Sequence, residues 1–262
     1  MNPKNSFFIL LLAYLAVLEP DLSIAEQIPV RYAEGVTHGF LVLRAEDGQI
    51  IADGDLSQVT HKDRVTDHLV FRFKDGSLHE ETAIFSQSGT FRLIKDRVVQ
   101  KGPSFKNSSD TLIEASSGQI TIHLTQNGKE KVIRKRLDLP GDIANGLMLT
   151  LTKNIRPGTR QTTVSMVVGA SKPRLARLVI SSQGEEDFTL GTITHKTVHY
   201  VVKVQLSGAA GVVAPIVGKQ PPDSHIWVAE GEAPTFLGSS GPFYEEGPIW
   251  RVELAAPKPP SQ

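Results

Sequence analysis

Leu69-Val70-Phe71-Arg72-Phe73-Lys74-Asp75-Gly76-Ser77-Leu78-His79-Glu80-Glu81-Thr82-Ala83-Ile84-Phe85-Ser86 is the stretch whose pattern sets the fold class. Leu69, Phe71 and Phe73 alternate with Val70, Arg72 and Lys74. That period of two marks a half-buried strand, because successive side chains leave opposite faces. Asp75-Gly76 follows, a pair that tolerates the positive φ of a tight hairpin. The returning arm puts Ala83 and Phe85 on one face and Thr82, Ile84 and Ser86 on the other, and Ser88-Gly89 turns it into Phe91-Arg92-Leu93-Ile94. Strand, short turn and strand make an antiparallel meander, since parallel neighbours need crossovers of a dozen residues or more.

The same grammar extends in both directions. Upstream, Gly39 to Leu43 meets the turn Glu46-Asp47-Gly48 and returns through Gln49 to Ala52. Downstream, Gly102-Pro103 ends a strand, Ser117-Gly118 joins Thr111–Glu114 to Ile120–Leu124, and Asn127-Gly128 leads into Lys131–Arg134. Further strands are predicted at Val164–Val168, Leu175–Ile180, Phe188–Ile193, Thr197–Leu206, Ile226–Val228, Thr235–Leu237 and Pro248–Leu254. Pro140 to Ile155 breaks the habit. Ile143, Leu147 and Leu151 recur every four residues behind Pro140-Gly141-Asp142, which predicts a helix, although Leu147 to Thr152 also alternates as a strand would. The expectation is a mainly β chain: one large curved antiparallel sheet, as a half-barrel or a sandwich, with a helix near 140–155 packed between two β halves. It forms a single domain over 26–254, followed by a Pro-rich tail at 255–262.

Lys4, the twelve-residue apolar run Phe7–Leu18 and the small residues Ser23 and Ala25 make a secretory signal pattern, with cleavage expected after Ala25. Twelve apolar residues are too few to cross a bilayer, and no later run reaches spanning length. The mature chain is therefore expected to be exported, periplasmic or secreted, without a membrane span. With no cysteine, disulfides and thiolate metal sites are excluded, so stability must come from burial. The 28 basic and 28 acidic residues balance, which argues against nucleic acid as the main partner. One basic cluster stands out at Lys129, Lys131, Arg134, Lys135 and Arg136. Without interleaved aromatics for base stacking, it reads as the wet face of a strand pair.

Motifs for catalysis are scarce. His195 and His199 lie four apart on a predicted strand, roughly 13 Å from end to end, too far to share one metal ion. No Gly-x-Ser-x-Gly elbow occurs, and Gly211 to Lys219 has the wrong glycine spacing for a phosphate loop. No metal and no cofactor is expected. Glu80-Glu81, Glu185-Glu186 and Glu245-Glu246 are adjacent pairs whose members point to opposite faces of a strand, so none is an acid–base dyad by itself. His61, Asp63, Asp67 and His68 form a denser polar group that would suit a hydrolytic site. The small-residue stretch Gly208 to Pro222 carries no charge until Lys219, and reads either as a flap over a cavity or as a buried crossover.

Phe71, Phe73, Phe85, Phe91, Tyr200, Trp227 and Trp250 supply aromatic bulk on the strands, and Val213 and Ile216 lie in the small-residue stretch. Together they are the candidate lining of an apolar cavity, against the alternative of an ordinary core. Three short motifs, Phe73-Lys74-Asp75-Gly76-Ser77, Gly102-Pro103-Ser104-Phe105 and Gly247-Pro248-Ile249-Trp250, resemble those of uncharacterised exported bacterial proteins. The meander with its lone helix resembles the half-barrels of periplasmic lipoprotein carriers. This resemblance implies a fold and transfers no catalytic motif. Three functions follow as expectations: binding or transfer of an apolar or lipid-like ligand in the cell envelope; envelope hydrolysis by the His61–His68 group; or a structural module that pairs with an envelope protein through a sheet edge.

Overall fold

The computed structural model describes residues 27–205 and 221–255. Fourteen strands join in one antiparallel sheet that curves without closing. Eight come first: β1 (Thr37–Arg44), β2 (Ile50–His61), β3 (Arg64–Phe73), β4 (Leu78–Ser86), β5 (Arg92–Lys101), β6 (Ser108–Glu114), β7 (Gln119–Gln126) and β8 (Lys129–Arg136). Six follow the helix: β9 (Gln161–Val168), β10 (Arg174–Leu190), β11 (Ile193–Gln205), β12 (Ser224–Ala229), β13 (Thr235–Pro242) and β14 (Ile249–Leu254). Consecutive strands pair with each other throughout, except β8 and β9, which form the two opposite edges. In the middle β1 pairs with β14, with Leu41 opposite Leu254 and Leu43 opposite Val252.

The predicted hairpins form where the turn residues demand them. At Asn127-Gly128 both residues take positive φ, 51° and 72°, as a two-residue turn between right-twisted strands requires. Two predicted strands, Leu175–Ile180 and Phe188–Ile193, are replaced by the single long β10, whose register shifts between Ser182 and Gly184. The irregularity absorbs the polar Gln183-Gly184-Glu185 run that reads as a break in the sequence.

Because the meander leaves β8 at one edge and resumes at the other, the connecting chain must cross the gap between them. This segment supplies Ile143, Ala144, Leu147, Leu151 and Ile155 to the same core as Leu43, Val65, Phe71, Phe85, Ile113 and Ile120. Burial of each of these side chains other than Ala144 contributes about 1.5–3 kcal/mol. Among the described residues there is one sheet covered by a strap and no second sheet, which decides for the half-barrel over the sandwich.

The helix within the strap, α1 (Met148–Asn154), is shorter than the predicted 140–155. Its lead-in is taken by the β9 edge. Ile143 bridges Ser165 in parallel, Ala144 N donates to Ser165 O (2.8 Å), and Ser165 N donates to Asp142 O (3.3 Å). Asn145 continues the ladder with its side chain, accepting from Val167 N (2.8 Å) and donating to Val167 O (3.1 Å). Backbone committed to an edge cannot also close helical turns, so α1 begins only after Gly146, at φ +68°. Among the described residues no helix is long and apolar enough to cross a membrane.

Candidate functional site

The three sequence motifs come together at one mouth of the half-barrel. Asp75, in the β3–β4 turn, accepts from Ser77 N (2.8 Å) and from Ser104 Oγ (2.7 Å), and Ser77 Oγ accepts from Ser104 N (2.9 Å). These hydrogen bonds, the one from Ser104 foremost, hold the Asp75 carboxyl below its usual range. Tyr244, beside the third motif, donates to Ser104 O (3.3 Å). Below this polar knot the aromatic members interlock, with ring centroids 5.4 Å apart for Phe73 and Phe105, 5.2 Å for Phe73 and Trp250, and 6.0 Å for Phe105 and Trp250.

His79 is buried in that cluster, 5.1 Å from the Phe243 ring. Gln100 Nε2 donates to His79 Nδ1 (3.1 Å) and to Phe243 O (3.1 Å). With Nδ1 accepting, the ring proton sits on Nε2. Burial pushes the imidazole down to about 4, so His79 is neutral near pH 7. On the outer side of Gln100 a cleft of about 300 Å³ opens, lined among others by Lys106, Leu124, Gln126, Tyr244 and Glu245. Its wall mixes charge with apolar surface, and the aromatic cluster backs it through Tyr244.

Farther along the same concave face runs a row of acids. Asp67 on β3 stands opposite Ala83 on β4, which stands opposite Asp96 on β5; Glu81 shares the face one pleat along. Gln58 Nε2 donates to Asp67 (2.7 Å). Asp96 is 2 % exposed, and its Oδ1 is buried without a hydrogen-bond partner. Burial, reinforced by the neighbouring acids, pushes Asp67 up to about 6 and Glu81 up to about 7, and raises Asp96 as well. Gly146 of the strap lies on the gap left by the small Ala83 side chain; a Cβ there would come within 2.5 Å of Ala83 Cβ and 3.1 Å of Asp96 Oδ1.

The predicted aromatic lining separates into several places. Phe71, Phe73 and Trp250 belong to the mouth cluster. Phe85 and Phe91 pack on each other, with centroids 6.1 Å apart, in the core beyond the acid row, and Tyr200 is buried in the core of the C-terminal half. Trp227 lies on the opposite, convex face. It stacks on His199 at 4.9 Å and meets the Phe188 ring at a tilt with centroids 5.3 Å apart, and Arg251 lies over both Phe188 and Trp227. His199 also contacts Glu186 (2.7 Å) and His225 (2.9 Å). Val213 and Ile216, with most of Gly208 to Pro222, lie outside the described residues.

Of the polar group at 61–68, His61 and Asp63 are exposed at the β2–β3 hairpin. Asp67 turns inward to Gln58, whereas His68 turns outward to Glu80 (2.8 Å). The four do not converge, because neighbours on a strand point apart. Among the described residues no group of three or more His, Cys, Asp or Glu is arranged to hold a metal ion.

Residues missed in the sequence include His79, Asp96 and Gln100, and Glu81 was weighed only as half of the adjacent pair Glu80-Glu81. A signal for two of them was present: His79, Glu81, Ala83 and Phe85 alternate on one strand, which places two titratable groups on a core-facing side. No family model matches the sequence, and no curated protein matches it. Among solved structures, a β-barrel-like protein of the domain of unknown function DUF1849 from Brucella abortus shares 11 % identity and overlays with a TM-score of 0.45, covering 86 % of this chain and 98 % of that one.

Proposed function

We propose that the protein is an exported binding protein of the cell envelope, and that it takes an amphipathic, lipid-like ligand at the mouth of the half-barrel. The observation that carries this reading is the cleft of about 300 Å³, in which Lys106, Gln126 and Glu245 face Leu124 and the aromatic-backed Tyr244. Such a wall suits a ligand with a polar head and a short apolar portion, at the small end of the range for ligand pockets. Farther in, core side chains and the strap fill the concave face, so a long chain would have no room without displacing them. Export rests on the sequence pattern of 1–25.

Delipidated protein titrated with a fluorescent short-chain fatty-acid probe, its apolar portion no longer than about six carbons, tests the reading. Uptake is expected, with Tyr244→Ala and Lys106→Ala each weakening it about tenfold, equivalent to about 1.4 kcal/mol. Trp227→Ala, on the opposite face, leaves it unchanged. A folded protein that takes up no probe refutes the proposal.

A further inference from the structure

We infer that the β8 edge is a docking strand for an extended acidic segment of a partner protein, which adds to the sheet as a further antiparallel strand. Among the described residues, nothing pairs with the outer side of β8: it is the last strand of the sheet, and its only polar contact beyond β7 is Lys135 Nζ to Pro173 O (2.8 Å). Every residue of Lys129–Arg136 is exposed except Ile133. Alternate backbone N–H and C=O groups along this edge therefore face solvent, a ready template for strand addition.

The side chains specify the partner's chemistry. Lys129, Lys131, Arg134, Lys135 and Arg136 oppose a single acid, Glu130. Arg134 and Arg136 share one face with Val132, and the three lysines share the other with Ile133. Val132 is 44 % exposed and supplies an apolar contact in the middle of the basic strand. A strand laid against this edge would match it with acidic residues on both faces around an apolar centre, since opposite charges across a strand pair attract and like charges repel. The same rule excludes a second copy of this chain pairing β8 to β8.

The test uses the folded protein and a fluorescein-labelled octapeptide, Glu-Glu-Glu-Val-Val-Glu-Thr-Glu, which laid antiparallel sets a Glu opposite each basic residue of β8 and its Thr opposite Glu130. Its counterpart is N-methylated on alternate residues, which keeps the charge and removes the backbone donors of one edge. The parent peptide is expected to bind, to weaken as salt is raised, and to protect β8 amides from hydrogen exchange. N-methylation should cost at least about tenfold in affinity, and so should the double variant Lys131→Glu/Arg134→Glu, whose thermal unfolding should match that of the parent protein. Equal binding of both peptides would reduce the edge to a patch of charge and overturn the proposal. Binding that survives the double variant, or no binding at all, would also overturn it. So would attachment only to phosphatidylglycerol vesicles, which would make the strand a membrane contact.

Discussion

β8 and β9 are the two edges of one sheet, and they are protected by opposite means. At β9 the strap satisfies the exposed backbone: Ala144 and Asp142 bond Ser165, and Asn145 bonds both the N–H and the C=O of Val167. At β8 no described residue pairs with the outer backbone, and five basic side chains guard it. Hydrogen bonds close an edge to everything, whereas charge closes it only to partners of the same sign. The contrast teaches that a covered edge contributes to stability and an open, charged edge contributes selectivity.

The comparison breaks most severely at Gly146. Gly146→Ala puts a Cβ against Ala83 and Asp96 in a backbone conformation that disfavours side chains. A loss of about 3 kcal/mol is expected, read as a lowered urea midpoint. Asn145→Ala leaves the N–H and C=O of Val167 unpaired in a buried site, at a cost of about 2 kcal/mol, and should speed amide exchange at Val167 while β8 amides are unaffected.

Acidity tests the strap from beneath. Asp67, Glu81 and Asp96 titrate higher in the folded chain than in the unfolded one, Asp67 near 6 and Glu81 near 7. Between about pH 4 and these values the native state holds protons that the unfolded state has released. Their contribution to stability is therefore full below about pH 4, falls by about 1.4 kcal/mol per pH unit for each such proton, and levels off above the raised values. Denaturation series at pH 5 and pH 8 should show the decline, and Glu81→Gln should flatten it. The smallest effect is expected at the open edge, where Lys131→Glu/Arg134→Glu should change the unfolding free energy by less than about 0.5 kcal/mol.

Much of the sheet was legible because alternation and turn chemistry are local. Leu69, Phe71 and Phe73 can be assigned to one face without any knowledge of what covers them, and Asn127-Gly128 announces its own turn. The strap was not legible to the same degree. Ile143, Leu147 and Leu151 have helical spacing, but the backbone at 142–145 pairs with Ser165 and Val167, some twenty residues later, a competition that spacing cannot register. The site was partly legible: the three short motifs were visible as words, and their meeting through Asp75, Ser104 and the Phe73–Phe105–Trp250 contacts was not. The aromatic lining was expected in one place, but Trp227 stands on the convex face, beside His199, because its strand neighbours Ile226 and Val228 take the core-facing side.

Local pattern was enough to establish an antiparallel meander, a break near 140–155, a cysteine-free chain that relies on burial, and a basic strand at Lys129–Arg136. Long-range closure decided the rest. Pairing β1 with β14 sends β8 and β9 to opposite edges, forces the strap across the concave face, and so buries Asp96 beside the half-buried Glu81, covers one edge and exposes the other. Period and turn residues depend on neighbours within a few positions, whereas an edge, a mouth or a buried acid depends on which distant strand arrives beside it.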